Sequence, residues 1–183
     1  MQWRVNVACV LLMMTWSMAV SSAPPARSQV VHGQWQVVND SVMGGVSSSQ
    51  WSMTPQHTGQ FSGTVSLENY GGFASVRGQV PSGHFKNAST IRIRLKGDGK
   101  VYKLCIRTEQ TGSSISYQHS VQTSGDWQTV ELDLKAFVAR WRGRRVDDAP
   151  TLIGVNINGV GFLIADKQAG SFSLLVSHIE PAH

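Results

Sequence analysis

Apolar and polar residues alternate with a period of two along most of this chain. The clearest case is Thr90 to Lys96, with Ile91, Ile93 and Leu95 on one side and Arg92, Arg94 and Lys96 on the other. Such alternation marks a strand with one buried and one wet face. Val101 to Arg107 repeats it through Tyr102, Leu104 and Ile106, and Trp127 to Leu134 through Val130, Leu132 and Leu134. Ile115 to Val121 is a weaker instance. Trp35 and Val37 alternate with polar neighbours, and Val46 to Trp51 reads as extended. Gly59 to Leu67 puts Phe61, Val65 and Leu67 on one face. Phe73 to Val80 follows across Asn69-Tyr70-Gly71-Gly72, so the two are expected to pair as a hairpin. Leu152 to Ala165 and Phe172 to Ile179 complete the set, joined by Asp166-Lys167-Gln168-Ala169-Gly170. No window carries a sustained 3.6-residue stripe between caps. Short strands separated by glycine turns predict an all-β sandwich or barrel.

Length and composition fit this picture. The 183 residues suit one domain with a sizeable core. Only 15% are charged, below the ~25% of an average domain, which suits a surface of Ser, Thr, Gln and Asn. The N-terminus follows another plan. A basic residue, Arg4, precedes a mostly apolar run from Val5 to Val20, and small residues follow at Ala19, Ser21, Ser22 and Ala23. This is the layout of a secretory signal peptide over residues 1–22, leaving a Pro24-Pro25 linker over 23–32 and a sandwich domain over 33–181. The expected location is therefore exported and periplasmic. An uncleaved inner-membrane anchor at residues 5–20 is the alternative, although the run is shorter than the ~20 residues that span a bilayer. With the leader removed, Cys105 is the remaining cysteine, which excludes a disulfide framework and reads as a small buried residue on a strand.

The stretch around which the domain is organised is Asn39-Asp40-Ser41-Val42-Met43-Gly44-Gly45-Val46-Ser47-Ser48-Ser49. Its glycine pair lets the backbone reach positive φ or lets another backbone approach. Asp40 and Ser41 are turn formers that bond back to nearby amides. Two readings stand side by side. In one, Asp40, Ser41, Met43, Gly44 and Gly45 line a binding cleft at a loop end. In the other, Asp40 and Ser41 organise a turn and Met43 packs.

This stretch resembles the opening signature of the complex I intermediate-associated protein 30 family. Further matches follow in order: Phe61-Ser62-Gly63, then Leu67 to Arg77 (Leu-Glu-Asn-Tyr-Gly-Gly-Phe-Ala-Ser-Val-Arg), then Gly97 to Leu104. Trp127, Phe137, Arg142-Gly143-Arg144 and Gly161 to Gly170 come later. The resemblance covers roughly residues 35 to 180. It implies a galactose-binding-like β-sandwich (jelly roll), no catalytic activity, and a chaperone-like role in assembling respiratory complex I through its membrane-arm subunits.

The residues themselves carry no enzyme signature. There is no Gly-x-Ser-x-Gly elbow, no His-Glu-x-x-His, no P-loop and no dinucleotide fingerprint. The six histidines are scattered and none pairs at zinc spacing. We therefore expect no catalytic residues, no cofactor and no metal. Asp98, between Gly97 and Gly99, reads as a turn. The sharpest charge feature is Arg140-Trp141-Arg142-Gly143-Arg144-Arg145, followed by Asp147 and Asp148. It reads either as a solvated loop or as a partner contact through Arg142, Arg144 and Arg145, since Arg and Trp are enriched at interface hot spots. The short basic run and its adjacent acids argue against nucleic acid. If Arg77, Arg92, Arg94 and Arg107 share one sheet face, they make a basic concave surface. The expected partner is thus a protein, with peripheral membrane association as a further expectation. A carbohydrate-binding module of the cell envelope is the alternative, because the same fold class hosts both.

Overall fold

The computed structural model describes residues 31–112 and 114–183; the leader and most of the linker read from the sequence lie outside them. Twelve strands run through the described residues. They are β1 (Trp35–Asn39), β2 (Ser48–Met53), β3 (Gly59–Val65), β4 (Ala74–Gln79), β5 (Thr90–Lys96), β6 (Val101–Thr108), β7 (Ser116–Gln122), β8 (Gln128–Asp133), β9 (Val138–Trp141), β10 (Arg144–Arg145), β11 (Ile157–Ile164) and β12 (Gly170–Ala182). They form a seven-stranded sheet in the order β1-β4-β11-β6-β7-β9-β10 and a five-stranded sheet in the order β2-β3-β12-β5-β8. Neighbours in both sheets run antiparallel. The protein is an all-β sandwich of jelly-roll type.

The period-two pattern explains the packing. Ile91, Ile93 and Leu95 of β5 face Tyr102, Leu104 and Ile106 of β6 across the core, all essentially without solvent contact. Phe61, Phe162, Phe172 and Leu174 fill the centre, with the Phe61 and Phe172 rings 4.8 Å apart. Near the β1–β2 edge the sheets are joined by Trp35 on Trp51, stacked at 4.0 Å and 18°. Two glycines make room for this pair. A Cβ at Gly59 would lie 2.1 Å from Trp51 Cζ2, and one at Gly78 would lie 2.7 Å from the Trp35 indole.

Three expectations need correction. β3 and β4 are not a hairpin: β3 pairs with β2 and β12, whereas β4 pairs with β1 and β11 in the other sheet. The connection crosses the sandwich because its residues bond to the β1–β2 loop. Leu67 lies beyond the end of β3 and is 46% exposed, so it leaves the core face. Arg140 to Arg145 is not a plain loop but the β9–β10 hairpin, turning at Arg142 and Gly143 with φ of 47° and 81°. Left-handed conformation at both turn residues matches the twist of the flanking strands.

Gly59→Val is expected to push the Trp51 ring off Trp35 and cost roughly 2–3 kcal/mol by overpacking. Denaturant unfolding checks the loss, and weakened near-ultraviolet circular dichroism checks the broken stack. Parent-like values for both would show that the edge relaxes around the added methyls.

Candidate functional site

Asp40 is fully buried, although it sits in a connection between strands. Its Oδ1 accepts from the Ser47 amide at 3.0 Å. Its Oδ2 accepts from the Ser47 hydroxyl at 2.5 Å, the Gly72 amide at 2.7 Å and the Phe73 amide at 3.2 Å. The Asp40 amide in turn donates to the Phe73 carbonyl, and its carbonyl accepts from the Gly45 amide. One side chain thus ties the β1–β2 loop to the β3–β4 loop. Burial alone raises the pKa of such a carboxyl, but the Ser47 hydroxyl and the amides of Gly72, Phe73 and Ser47 outweigh it and hold Asp40 below the ordinary carboxylate value. The glycines are fitted to this contact. A Cβ on Gly45 would stand 2.4 Å from Asp40 Cγ, and one on Gly71 would stand 2.7 Å from Oδ2. Gly44 caps the short 3-10 turn at φ 93° with open space around it.

Asp40 organises this turn from a buried position, and Gly45 is buried against it. Ser41, Met43 and Gly44 are exposed beside them. Met43 does not pack: it is 63% exposed, Val42 is 71% and Tyr70 is wholly exposed. Val46 and Leu67 on the same two loops are also open to solvent. The knot presents an apolar loop-end surface rather than a polar cleft.

Other turns are locked in the same manner. Asp98 accepts from the Tyr102 hydroxyl at 2.9 Å and from the Ser173 amide at 3.0 Å, which pins the β5–β6 crossing to β12. Gln168 holds both the amide and the carbonyl of Val101, at 2.9 and 2.8 Å, and so fastens the β11–β12 turn to β6. The turn reading of both segments stands.

The arginine-rich hairpin lies at the far edge of the seven-stranded sheet from β1. Six interstrand steps separate the edges, roughly 29 Å at ~4.8 Å per step. The structure therefore does not bring Asp40, Ser41, Met43, Gly44 and Gly45 together with Arg142, Arg144 and Arg145. Several of the arginines already serve the hairpin. Arg140 donates to the Gly143 carbonyl at 2.9 Å, Arg142 lies 5.4 Å over the Trp141 ring, and Arg145 pairs with Asp147 at 2.6 Å. Arg144 is exposed. Beside the hairpin is a groove of about 320 Å³ floored by Leu134, Phe137, Ala139 and Leu152.

The two outer faces of the sandwich differ. Arg92 and Arg94 lie on the five-stranded sheet, where Arg92 bridges Glu131 and Glu180 and Arg94 covers Trp127 at 5.2 Å. Arg77 and Arg107 lie on the seven-stranded sheet, so the four strand arginines divide two and two. Register places Arg77 opposite Gly161, Gly161 opposite Cys105, and Gly159 opposite Arg107. Gly159 and Gly161 alternate with the buried Val160, Phe162 and Ile164 and so fall on the outer side of β11, between the arginines. A Cβ on Gly159 would lie 3.4 Å from Arg107 Cβ, so the arginine stem runs along its edge. Burial first, and then the charge of Arg77, lower the pKa of Arg107. Cys105 is buried as expected, but under this basic face rather than in the core. Burial pushes its thiol up to about 12 although Arg107, Lys103 and Arg77 surround it. A thiol so placed stays protonated and unreactive. Lys103 was missed by the sequence reading, and so were Gly159 and Gly161.

Among the described residues, no three His, Cys, Asp or Glu side chains group as metal ligands, and no helix is long and apolar enough to cross a membrane. What this architecture defines is a β-sandwich binding module with open sheet faces and loop ends. A sequence model of the complex I intermediate-associated protein 30 family matches residues 26–176, and the chain belongs to that family. Among solved structures, the chain is similar to a family 11 carbohydrate-binding module of a cellulosomal cellulase of Clostridium thermocellum. That match has a TM-score of 0.62 at 17% identity and covers 88% of this chain and 97% of the other. The same organism's family 11 module in complex with a β-1,3-1,4-mixed-linked tetrasaccharide matches at TM-score 0.55 and 17% identity, over 81% and 91% of the two chains. At these identities the likeness is one of fold.

Asp40 releases its proton more readily in the folded state than in the unfolded chain. Its contribution to stability is therefore full at neutral pH and is lost as pH falls below the ordinary value of 3.8 toward the lower folded one. Asp40→Asn is expected to cost about 2–4 kcal/mol at pH 7, because amide donors are left facing an amide. It should also flatten the decline on the acid side. Urea unfolding at pH 7 and pH 3 measures both, and an Asn variant as stable as the parent would remove Asp40 from this role.

Proposed function

We propose that the protein is a non-catalytic glycan-binding module of the cell envelope. The observation that carries this reading is the outer face of the seven-stranded sheet. There the register of β4, β11, β6 and β7 sets Arg77, Cys105 and Arg107 beside Gly159 and Gly161, with Ser75 and Gln118 near them. Hydroxyl, amide and guanidinium groups in rows along a rigid sheet are the donors and acceptors that sugar hydroxyls require. The fold shared with carbohydrate-binding modules supports the same reading. An exported location belongs to it, since envelope glycans lie outside the cytoplasm. Sequencing the N-terminus of the protein purified from its native cells should find a chain starting near Ser22 or Ala23. A start at Met1 would rule out a cleaved leader and leave the uncleaved anchor at residues 5–20 as the reading to test.

A protein partner, linked through the family to complex I membrane-arm subunits, is the second reading. Its own observation is the exposed Val42, Met43, Val46, Leu67 and Tyr70 on the two loops that Asp40 ties together. Here the apolar surface makes the contact, and the arginine hairpin at the opposite edge adds a second point through Arg144.

In-cell crosslinking and mass spectrometry separate the two. The glycan reading expects envelope polysaccharide with no recurrent protein. The assembly reading expects complex I membrane subunits, with recovery reduced at least fivefold by Met43→Ser combined with Tyr70→Ser. Both substituted residues are exposed, so folding should be unchanged.

A further inference from the structure

The larger sheet has two strands more than its partner. Trp35 on Trp51 sets β1 against β2, so the surplus falls at the other end, on β9 and β10. Ala139 pairs with the buried Tyr117 of β7 and shares its core-facing side. Trp141 follows two residues on and faces the same way, as does Arg144 opposite it. This overhang is closed only in part, by the turn at Leu134–Ala136 and the segment 146–152, and the groove of about 320 Å³ is what remains. Its floor is recessed: Leu134, Phe137, Ala139 and Leu152 are all buried. Its mouth is charged. Lys135 lines it from the turn, and Arg145 and Asp147 line it from the hairpin side. Residues 135–148 hold Lys135, Arg140, Arg142, Arg144 and Arg145 against only Asp147 and Asp148. Asp147 is engaged by Arg145. Among the described residues no carboxylate pairs with the other four cations. An apolar floor beside cations that lack a counter-charge fits a ligand that is apolar at one point and negative on either side of it.

We propose that this groove binds an acidic peptide segment, with one apolar side chain seated on Leu134, Phe137, Ala139 and Leu152 and the flanking carboxylates on Lys135 and Arg144. The groove lies apart from the outer face of β4, β11 and β6, so the proposal does not rest on the glycan reading. It gives the hairpin contact of the second reading a defined chemistry. The volume lies at the small end of ligand pockets, ~300–1,000 Å³, which suits a single anchor side chain. Arg144 is exposed and offers a guanidinium fork, which holds a carboxylate through two parallel hydrogen bonds. Trp141 beside it is half-exposed, and Trp and Arg are the residue types that carry most of the energy at protein contacts. Shape argues against a lipid surface. A bilayer presses on protruding residues, whereas this floor lies under an overhang that a single side chain can enter.

The probe is a fluorescein-labelled Glu-Glu-Phe-Glu-Glu peptide, titrated against the purified full-length protein and followed by fluorescence polarisation. Saturable binding is expected. Replacing the Phe of the peptide by Ser should weaken it about tenfold, through lost apolar burial. Lys135→Glu with Arg144→Glu, both exposed positions, should weaken it about fivefold or more and remove most of its dependence on salt between ~50 and ~300 mM. Ala149→Phe fills the groove, so the Phe and Ser peptides should then bind alike. Met43→Ser with Tyr70→Ser, on the distant loops, should change nothing, which separates this groove from the apolar loop surface. If Ala149→Phe melts early, the two peptides and the paired charge reversal still decide the matter. Undiminished binding in the folded Lys135→Glu, Arg144→Glu variant overturns the assignment. Equal binding of the Ser peptide to the parent protein makes the region a general basic surface and overturns it as well. So does a failure to bind the peptide, and phosphatidylglycerol vesicles retained in its place, with loss in the same variant, would make the region a membrane contact. None of these outcomes touches the glycan reading, whose residues lie on another face.

Discussion

The arrangement of this sandwich depends on one buried carboxylate. Asp40 lies in a loop, yet it is removed from water and accepts four hydrogen bonds from two separate connections. A buried charge without partners is among the most costly groups in a protein, so the loops can close only in the one geometry that satisfies it. That geometry sends the chain across the sandwich after β1 and again after β3. The pairing of β1 with β4 and of β2 with β3 in different sheets follows from it. Gly45 and Gly71 stand where any side chain would strike the carboxylate.

The family signature can be read in these terms. Asp40 with Ser47 and the glycines, Asp98 with Tyr102, and Gln168 with Val101 each join segments far apart in sequence. Each of these contacts is a cross-loop fastening. Membership of the family therefore fixes architecture more firmly than it fixes a partner. The surfaces free to vary are the apolar loop tips and the outer sheet faces.

Strand existence was legible because alternation reports burial directly. Thr90 to Lys96 and Val101 to Arg107 needed nothing more. What alternation does not report is which sheet a strand joins, since an inward-facing residue looks the same in either layer. The supposed β3–β4 hairpin failed for that reason: the deciding contact, between Asp40 and the Gly72 amide, spans 32 residues. The candidate site was legible only in part. Asp40 stood out as a residue type out of place, but its role as a tie rather than a ligand came from its burial. The divided allegiance of Arg77 and Arg107 against Arg92 and Arg94 depended on strand order.

The order of strands has a temporal consequence. β11 lies between β4 and β6, and β12 lies between β3 and β5, so the last two strands form the interior of both sheets. Until β11 and β12 have been made, β4 and β6 have nothing between them, and β3 and β5 likewise. The nascent chain therefore stays open through most of its synthesis, with apolar strand faces uncovered. Pairings of such long sequence separation also form slowly once they are available. A chain that closes late and slowly needs shielding from its own strand edges until β12 is in place.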